Sequence, residues 1–210
     1  MTQDPETEEY MIVMQYASNG NLLSYLDQNI NKLTWRKKLE YLENIACNLN
    51  NIHHKGLVHC ALHGGNIVLN NNHRSYICDV GLSQSASSSQ KNLTIRGDVS
   101  PFTAPEVFHA YKFTQKSDIY SFGIIMYLMA TGELPFRDRQ FDSSLIRDIM
   151  GGLRPLMPDS APEEYKQLAQ WCCDADPDKR PNAQEIREHI KKVLKSIFNN
   201  NLWDTVYHVL

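Results

Sequence analysis

The sequence predicts a mainly α domain with a small β element. Three observations carry that expectation. Apolar residues recur at spacings of three and four along several stretches, the short β-branched runs fall in the first eighty residues, and no segment repeats. With 210 residues, 42% of them hydrophobic, the chain is long enough to bury one core.

Residues 1–9 are polar and acidic, with Asp4-Pro5-Glu6-Thr7 as a turn. Tyr10 to Tyr16 is an apolar, partly β-branched run expected to form one strand. Ser18-Asn19-Gly20-Asn21 breaks it, and Leu22 to Gln28 follows as a short helix. Thr34 is a good N-cap for a long helix to about His54. Its apolar stripe is Trp35, Leu39, Leu42, Ile45, Leu49 and Ile52, and Gly56 ends it. Three short strands are expected next, at Leu57-Val58, Ile67 to Leu69 and Tyr76 to Cys78, with Asn70-Asn71-Asn72 turning between the last two. Residues 83–100, rich in Ser, Gln and Asn and without periodicity, read as a long surface loop. After Pro105 the pattern is helical: Ser117 to Thr131 closed by Gly132, then about Ser143 to Gly151, Pro162 to Asp174, and Asn182 to Phe198. Asn182 and Glu185 form a variant capping box at the start of the last helix.

A net charge of −3 offers no basic excess for nucleic acid or an anionic membrane. The five cysteines (Cys47, Cys60, Cys78, Cys172, Cys173) are odd in number and lack CxxC spacing. That disfavours a disulfide framework or a structural zinc site and fits a reducing, cytoplasmic setting. Asp4, Glu6, Glu8 and Glu9 are wrong for a signal peptide. The longest apolar run, Phe122 to Ala130, is too short to span a bilayer, so no membrane role is expected. The glycosylation pattern Asn92-Leu93-Thr94 carries little weight without a secretory signal.

The residues that carry chemistry fall in a fixed order. Ile12-Val13-Met14-Gln15-Tyr16-Ala17 comes first, then His59-Cys60-Ala61-Leu62-His63-Gly64-Gly65-Asn66 and Asp79-Val80-Gly81. Ala104-Pro105-Glu106 follows, then Ser117-Asp118-Ile119-Tyr120-Ser121-Phe122-Gly123, and last Asp176-Pro177-Asp178-Lys179-Arg180-Pro181. Six such matches in order resemble a eukaryotic protein kinase. Its members carry a hinge strand, a catalytic loop H-R-D-L-x-x-x-N, D-F-G, A-P-E, an Asp-initiated buried helix and a late Arg. The wording Leu62-His63-Gly64-Gly65-Asn66 is most similar to the tyrosine-kinase-like branch. The resemblance implies a protein-kinase-like C-lobe lacking most of the N-lobe. It implies a polar segment over residues 1–9, a hinge strand plus C-lobe over 10–198, and a tail over 199–210.

It also implies ATP and Mg²⁺ as cofactors, and residue roles with them. Asn66 and Asp79 align with the pair that holds magnesium on the nucleotide phosphates, and both offer the oxygen ligands a hard cation needs. A loop-bracing Asn66 and a turn-capping Asp79 are the plain alternatives. Met14 would stand as gatekeeper beside adenine, Gln15 and Ala17 would offer hinge backbone groups, Asn21 would sit near the ribose and Val68 would form the apolar floor. Plain core packing accounts for these apolar positions about as well. Glu106 and Arg180 resemble a buried ion pair, Asp118 a carboxylate that holds the catalytic-loop backbone, and His59 a structural histidine beneath Asp79. Metal ligation by His59, Cys60 and His63 is disfavoured, because three ligands on one tight loop rarely converge.

The departures from the pattern all fall on catalysis. Ala61 stands where the family has the Asp that accepts the substrate hydroxyl proton. His63 is near enough to be considered as a substitute base, on proximity alone. Cys60 replaces the Arg that pairs with a phosphate on the activation segment, where Ser83, Ser85, Ser87, Ser88, Ser89, Thr94 and Ser100 are candidate phosphorylation sites. Val80 replaces the D-F-G Phe, and the run Gly97 to Thr103 is one residue longer than usual. No G-x-G-x-x-G loop or V-A-I-K lysine precedes residue 10, and residues 10–16 are expected to present an exposed apolar edge. Three readings stay open: a catalytically impaired module that binds or regulates a protein partner, a truncated Ser/Thr kinase, and a non-functional gene remnant.

Overall fold

The computed structural model describes residues 2–11, 13, 15–72, 74–79, 84–85, 100–110 and 112–200, the last four as backbone. Met14, Val80, Gly81, most of the 83–100 segment and residues 201–210 therefore lie outside the described residues.

The chain begins with an antiparallel hairpin of β1 (Thr2–Gln3) and β2 (Tyr10–Met11), with Thr2 opposite Met11. The carboxylate of Asp4 accepts from the amides of Glu6 and Thr7 at 2.8 and 3.2 Å, which reverses the chain. Of the expected single strand over Tyr10 to Tyr16, Tyr10 and Met11 form a strand with a partner upstream, and the described residues 13, 15 and 16 do not continue it. Tyr10, Val13 and Tyr16 remain largely exposed, so this run does present apolar surface.

α1 (Leu22–Asn29) is capped by Asn21, whose side chain accepts from the Ser24 amide. A 3₁₀ turn, Ile30–Lys32, leads to α2 (Trp35–His54), where Thr34 accepts from the Lys37 amide. Trp35, Leu39, Leu42, Ile45 and Leu49 of the expected stripe are buried, while Ile52 is half-buried near the helix end. Gly56, at φ 69°, takes the left-handed turn that a Cβ would resist, and its amide donates to the His53 carbonyl.

β3 (Leu57–Val58) pairs antiparallel with β6 (Gln84–Ser85), so the described part of the expected loop contains a strand. β4 (Ile67–Leu69) pairs with β5 (Ser75–Ile77), one residue earlier than the sequence pattern indicated. Asn70 sets that register: its Oδ1 accepts from both the Asn72 and Arg74 amides, fixing the turn.

The remaining elements are α3 (Pro105–Ala110), α4 (Gln115–Thr131), α5 (Ser143–Met150), α6 (Glu163–Cys172) and α7 (Ala183–Asn200). α4 starts two residues before the expected Ser117 because Thr114 and Ser117 form a reciprocal capping box. It is apolar nearly all round and is the centre of the core, with α2 and α6 packed on it. Tyr165 of α6 donates its hydroxyl to the Met126 carbonyl at 2.6 Å, and α7 closes over α2. Asn182 and Glu185 make the expected reciprocal cap at the start of α7, at 2.9 and 2.7 Å. No helix of the described residues is long and apolar enough to cross a membrane.

Candidate functional site

The loop after β3 is held from below by one carboxylate. Asp118, buried in the first turn of α4, accepts from the amides of His59 and Cys60 at 2.8 and 3.0 Å. His53, from the last turn of α2, meets the same carboxylate at 2.8 Å. A carboxylate in this position also suits the positive end of the helix. These two amide bonds hold Cys60 at φ 70°, a left-handed conformation costly for a residue with a Cβ. His59 is fully buried; its Nδ1 accepts from the Ala61 amide and its Nε2 donates to the Cys78 carbonyl at 2.9 Å. That pattern assigns the Nε2–H tautomer and a bracing role.

Above this base a cleft of about 500 Å³ lies between the loop and residues 100–104. Ala61, His63, Asn66 and Asp79 line it, and Phe102 closes the far side. Phe102 is fixed there by its carbonyl, which accepts from the Ser121 hydroxyl of α4 at 2.8 Å. Asn66 is nearly buried; its Nδ2 donates to the Ala61 carbonyl at 3.0 Å, and its own carbonyl accepts from the Cys78 amide. With Nδ2 engaged, Oδ1 is the side-chain atom that remains to accept a contact. Asp79 is exposed and sits at φ 59°, a conformation Asp tolerates better than most residues. Two oxygen donors at the mouth of one cleft fit part of the coordination shell of a divalent cation. Among the described residues no group of three His, Cys, Asp or Glu side chains is placed to hold a metal ion.

His63 faces this cleft in a defined state. Its Nδ1 accepts from the Gly65 amide at 3.0 Å, so in the neutral ring the proton sits on Nε2. Burial, with His59 close by, pushes its pKa down, while Asp79 opposes that shift. The ring therefore offers the cleft a donor, and its lone pair is already engaged.

Of the expected nucleotide-contacting residues, Met14 lies outside the described residues, and the structure links Asn21 to Val68 and Ala17 to the turn before Asn21. The backbone of Asn21 bridges antiparallel to Val68, and the Gly20 amide donates to the Ala17 carbonyl. Asn19 and Gly20 are tied to Leu69 by two further backbone bonds. Gln15 is exposed, Ala17 and Val68 are half-buried, and none of Gln15, Ala17, Asn21 and Val68 lines the 500 Å³ cleft. The side chain of Asn21 is spent on capping α1.

The late Arg closes the architecture. Arg180 is fully buried and donates from Nη1 and Nη2 to the two carboxylate oxygens of Glu106, at 2.7 and 2.8 Å. Its remaining donors reach the carbonyls of Asp174 and Lys116. Two features gave no sequence signal. Arg154 stacks on one side of Tyr120 at 5.1 Å, and Arg180 on another at 5.2 Å. Leu23, Phe113 and Leu134 join the cleft wall from three distant segments, which only the fold brings together.

Comparison with known proteins agrees with this architecture. A family model described as protein tyrosine and serine/threonine kinase matches residues 2–190. A probable serine/threonine-protein kinase of Dictyostelium discoideum is 32% identical over 86% of this chain and 14% of its own length. A putative serine/threonine-protein kinase/receptor of Acanthamoeba polyphaga mimivirus is 31% identical over 85% of the chain and 11% of its own. The ephrin type-A receptor 5 of Gallus gallus is 31% identical over 91% of the chain and 19% of its own. The chain spans less than a fifth of the length of each of these relatives. With the family model covering the chain from the β1 hairpin into α7, and the Asp118 and Glu106–Arg180 networks in place, the chain belongs to the eukaryotic protein kinase family.

Proposed function

We propose that this kinase-like signalling domain is impaired in phosphoryl transfer and works as a binding or regulatory module for a protein partner. The observation that carries this reading is Ala61, whose methyl group lines the cleft beside Asn66 and Asp79. A methyl group neither accepts a hydroxyl proton nor orients the hydroxyl. A positioned general base typically contributes ~10²–10⁴-fold, or roughly 3–5 kcal/mol of barrier. His63 does not replace it, because its only basic nitrogen is engaged by the Gly65 amide. Cys60 cannot make the bidentate contact to a phosphate that an Arg makes.

Asn66 Oδ1 and the Asp79 carboxylate would hold Mg²⁺, which supplies charge neutralisation at the phosphates of ATP when bound. Met14 would stand at the back of the adenine site, with the Gln15 and Ala17 backbones at its edge and Val68 beneath. Asn21 would keep only its Nδ2 for a ribose hydroxyl, since its Oδ1 caps α1. Small-molecule sites enclose most of the ligand surface, and an exposed Gln15 and half-buried Val68 enclose little. The reading therefore includes weak ATP binding. In a thermal-shift titration, millimolar ATP with Mg²⁺ should raise the melting temperature by less than about 1 °C. A clear magnesium-dependent rise that Asp79→Ala removes would overturn the weak-binding part of the proposal.

A second reading is a Ser/Thr kinase active only in a longer chain. It is favoured by the relatives' names and by the small share of their length that this chain spans. Transfer by a chain extended upstream, with Ala61 unchanged, would support it.

A further inference from the structure

The loop between α5 and α6 carries exposed apolar side chains on a pinned backbone. The Leu153 amide donates to the Asp148 carbonyl at 2.8 Å, and the Gly152 amide to that of Ile149 at 3.1 Å. Arg154 turns inward. Its Nε donates to the Cys173 carbonyl at 2.9 Å and its Nη1 to the carbonyls of Ile149 and Leu153 at 2.8 Å. Pro155 and Pro158 stiffen the chain beyond it. The Arg154 bonds hold this loop against the C-terminal end of α6, where the Trp171 indole is fixed by its Nε1–H on the Lys179 carbonyl. Loop and helix end expose Met150, Leu153 and Trp171, and Leu156 is 90% exposed. Large apolar side chains gathered on one rigid surface mark an interaction site. The same stretch is acidic. From Asp142, the cap of α5, to Lys179, eight carboxylates stand against four cations, a net −4 where the whole chain has −3. Of these carboxylates only Asp148 and Asp176 have an ion-pair partner among the described residues.

We propose that this surface docks a cationic amphipathic segment of a partner protein. Its apolar face would cover Leu153, Leu156 and Trp171, and its lysines or arginines would meet carboxylates such as Asp159 and Asp178 at the rim. A loop already fixed by its own hydrogen bonds loses little freedom on binding. A second copy of this chain fits poorly. Its other exposed apolar run, Tyr10, Val13 and Tyr16, follows Glu6, Glu8 and Glu9 and would set like charges together. An anionic membrane is repelled by the same carboxylates. None of Met150, Leu153, Leu156 and Trp171 lines the cleft. The proposal rests on the protein-partner part of the proposed function, gives it a surface, and involves no step of phosphoryl transfer.

Fluorescence anisotropy on the whole chain tests it, with a fluorescein-labelled peptide of about 18 residues, leucine and lysine at helical spacing. Saturable binding is expected at about 50 mM NaCl, and little binding of the matching leucine–glutamate peptide. Leu156→Gln should weaken the lysine peptide about tenfold. Asp159→Lys/Asp178→Lys should do the same at about 50 mM NaCl and much less at about 500 mM. Leu156 is exposed, so that single variant decides if the double one loses its cooperative melt. No saturable binding, equal binding by parent and Leu156→Gln, or equal binding of the leucine–glutamate peptide would each overturn the proposal. So would a dimer of the parent, or its binding to phosphatidylserine vesicles, that Leu156→Gln abolishes. Failure here leaves the ATP titration unaffected, so the two readings fail separately.

Discussion

Replacing Asp118 by Ala would leave the His59 and Cys60 amides and the His53 ring without their shared acceptor. The Asp118 carboxylate and the His59 amide are buried and the His53 side chain is nearly so, while Cys60 is half-buried, so the loss is expected to cost about 3–5 kcal/mol. Urea denaturation measures it, and a cost under about 1 kcal/mol would show that the loop is held by other contacts. The Asp118 and Glu106–Arg180 roles were legible in the sequence because each is a charged residue in a recognisable run. The state of His63 was not. Its engaged Nδ1 depends on the backbone course at Gly64-Gly65, where a Cβ on Gly65 would sit 2.9 Å from the ring. The same holds for Lys38, which reads as a surface lysine of α2. It is buried instead, donating to the Ala130 carbonyl at the end of α4 and lying 4.5 Å from the Trp35 ring centre.

At the scale of elements, the helices were legible from their caps and stripes, because Thr34, Asn182 and Gly132 act through local backbone geometry. The strands were less so. β2, β5 and β6 take their extent from pairing partners and from turns, and pairing is a non-local property. The contact of α4 with α6 was also invisible in the sequence. It depends on Gly123, where an added Cβ would lie 2.4 Å from Cys173 Sγ and 3.0 Å from Cys172 Cβ. Gly123→Ala should therefore destabilise by about 1–3 kcal/mol despite the better helix propensity of Ala. Cys173→Ala in the same chain should recover part of that loss, since it removes the nearer atom. A stabilised single variant in thermal denaturation would show that the two helices are less closely packed.

For the whole molecule, buried titratable groups set a pH profile. Burial pushes the Lys38 ammonium from 10.5 down to about 8, so the unfolded chain binds the extra proton between these values. Stability should rise with pH from about 8. Burial raises the Cys172 thiol well above 9.0 and that of Cys173 to about 12, and it raises Tyr41, Tyr120 and Tyr165 above 10.0. Their stabilising contribution is complete below the unfolded values and is lost as pH climbs past 9 towards 12. The urea midpoint should therefore peak near pH 9, and Lys38→Met should flatten the rise below the peak. A monotonic fall from pH 7.5 would contradict this. Alongside these supports stands a cleft lined by Ala61, Asn66 and Asp79. The direct test is transfer of radiolabelled phosphate from ATP in the presence of Mg²⁺, measured for the purified parent and for Asp79→Ala. The account predicts no transfer above background in either protein; transfer by the parent that Asp79→Ala abolishes would contradict it.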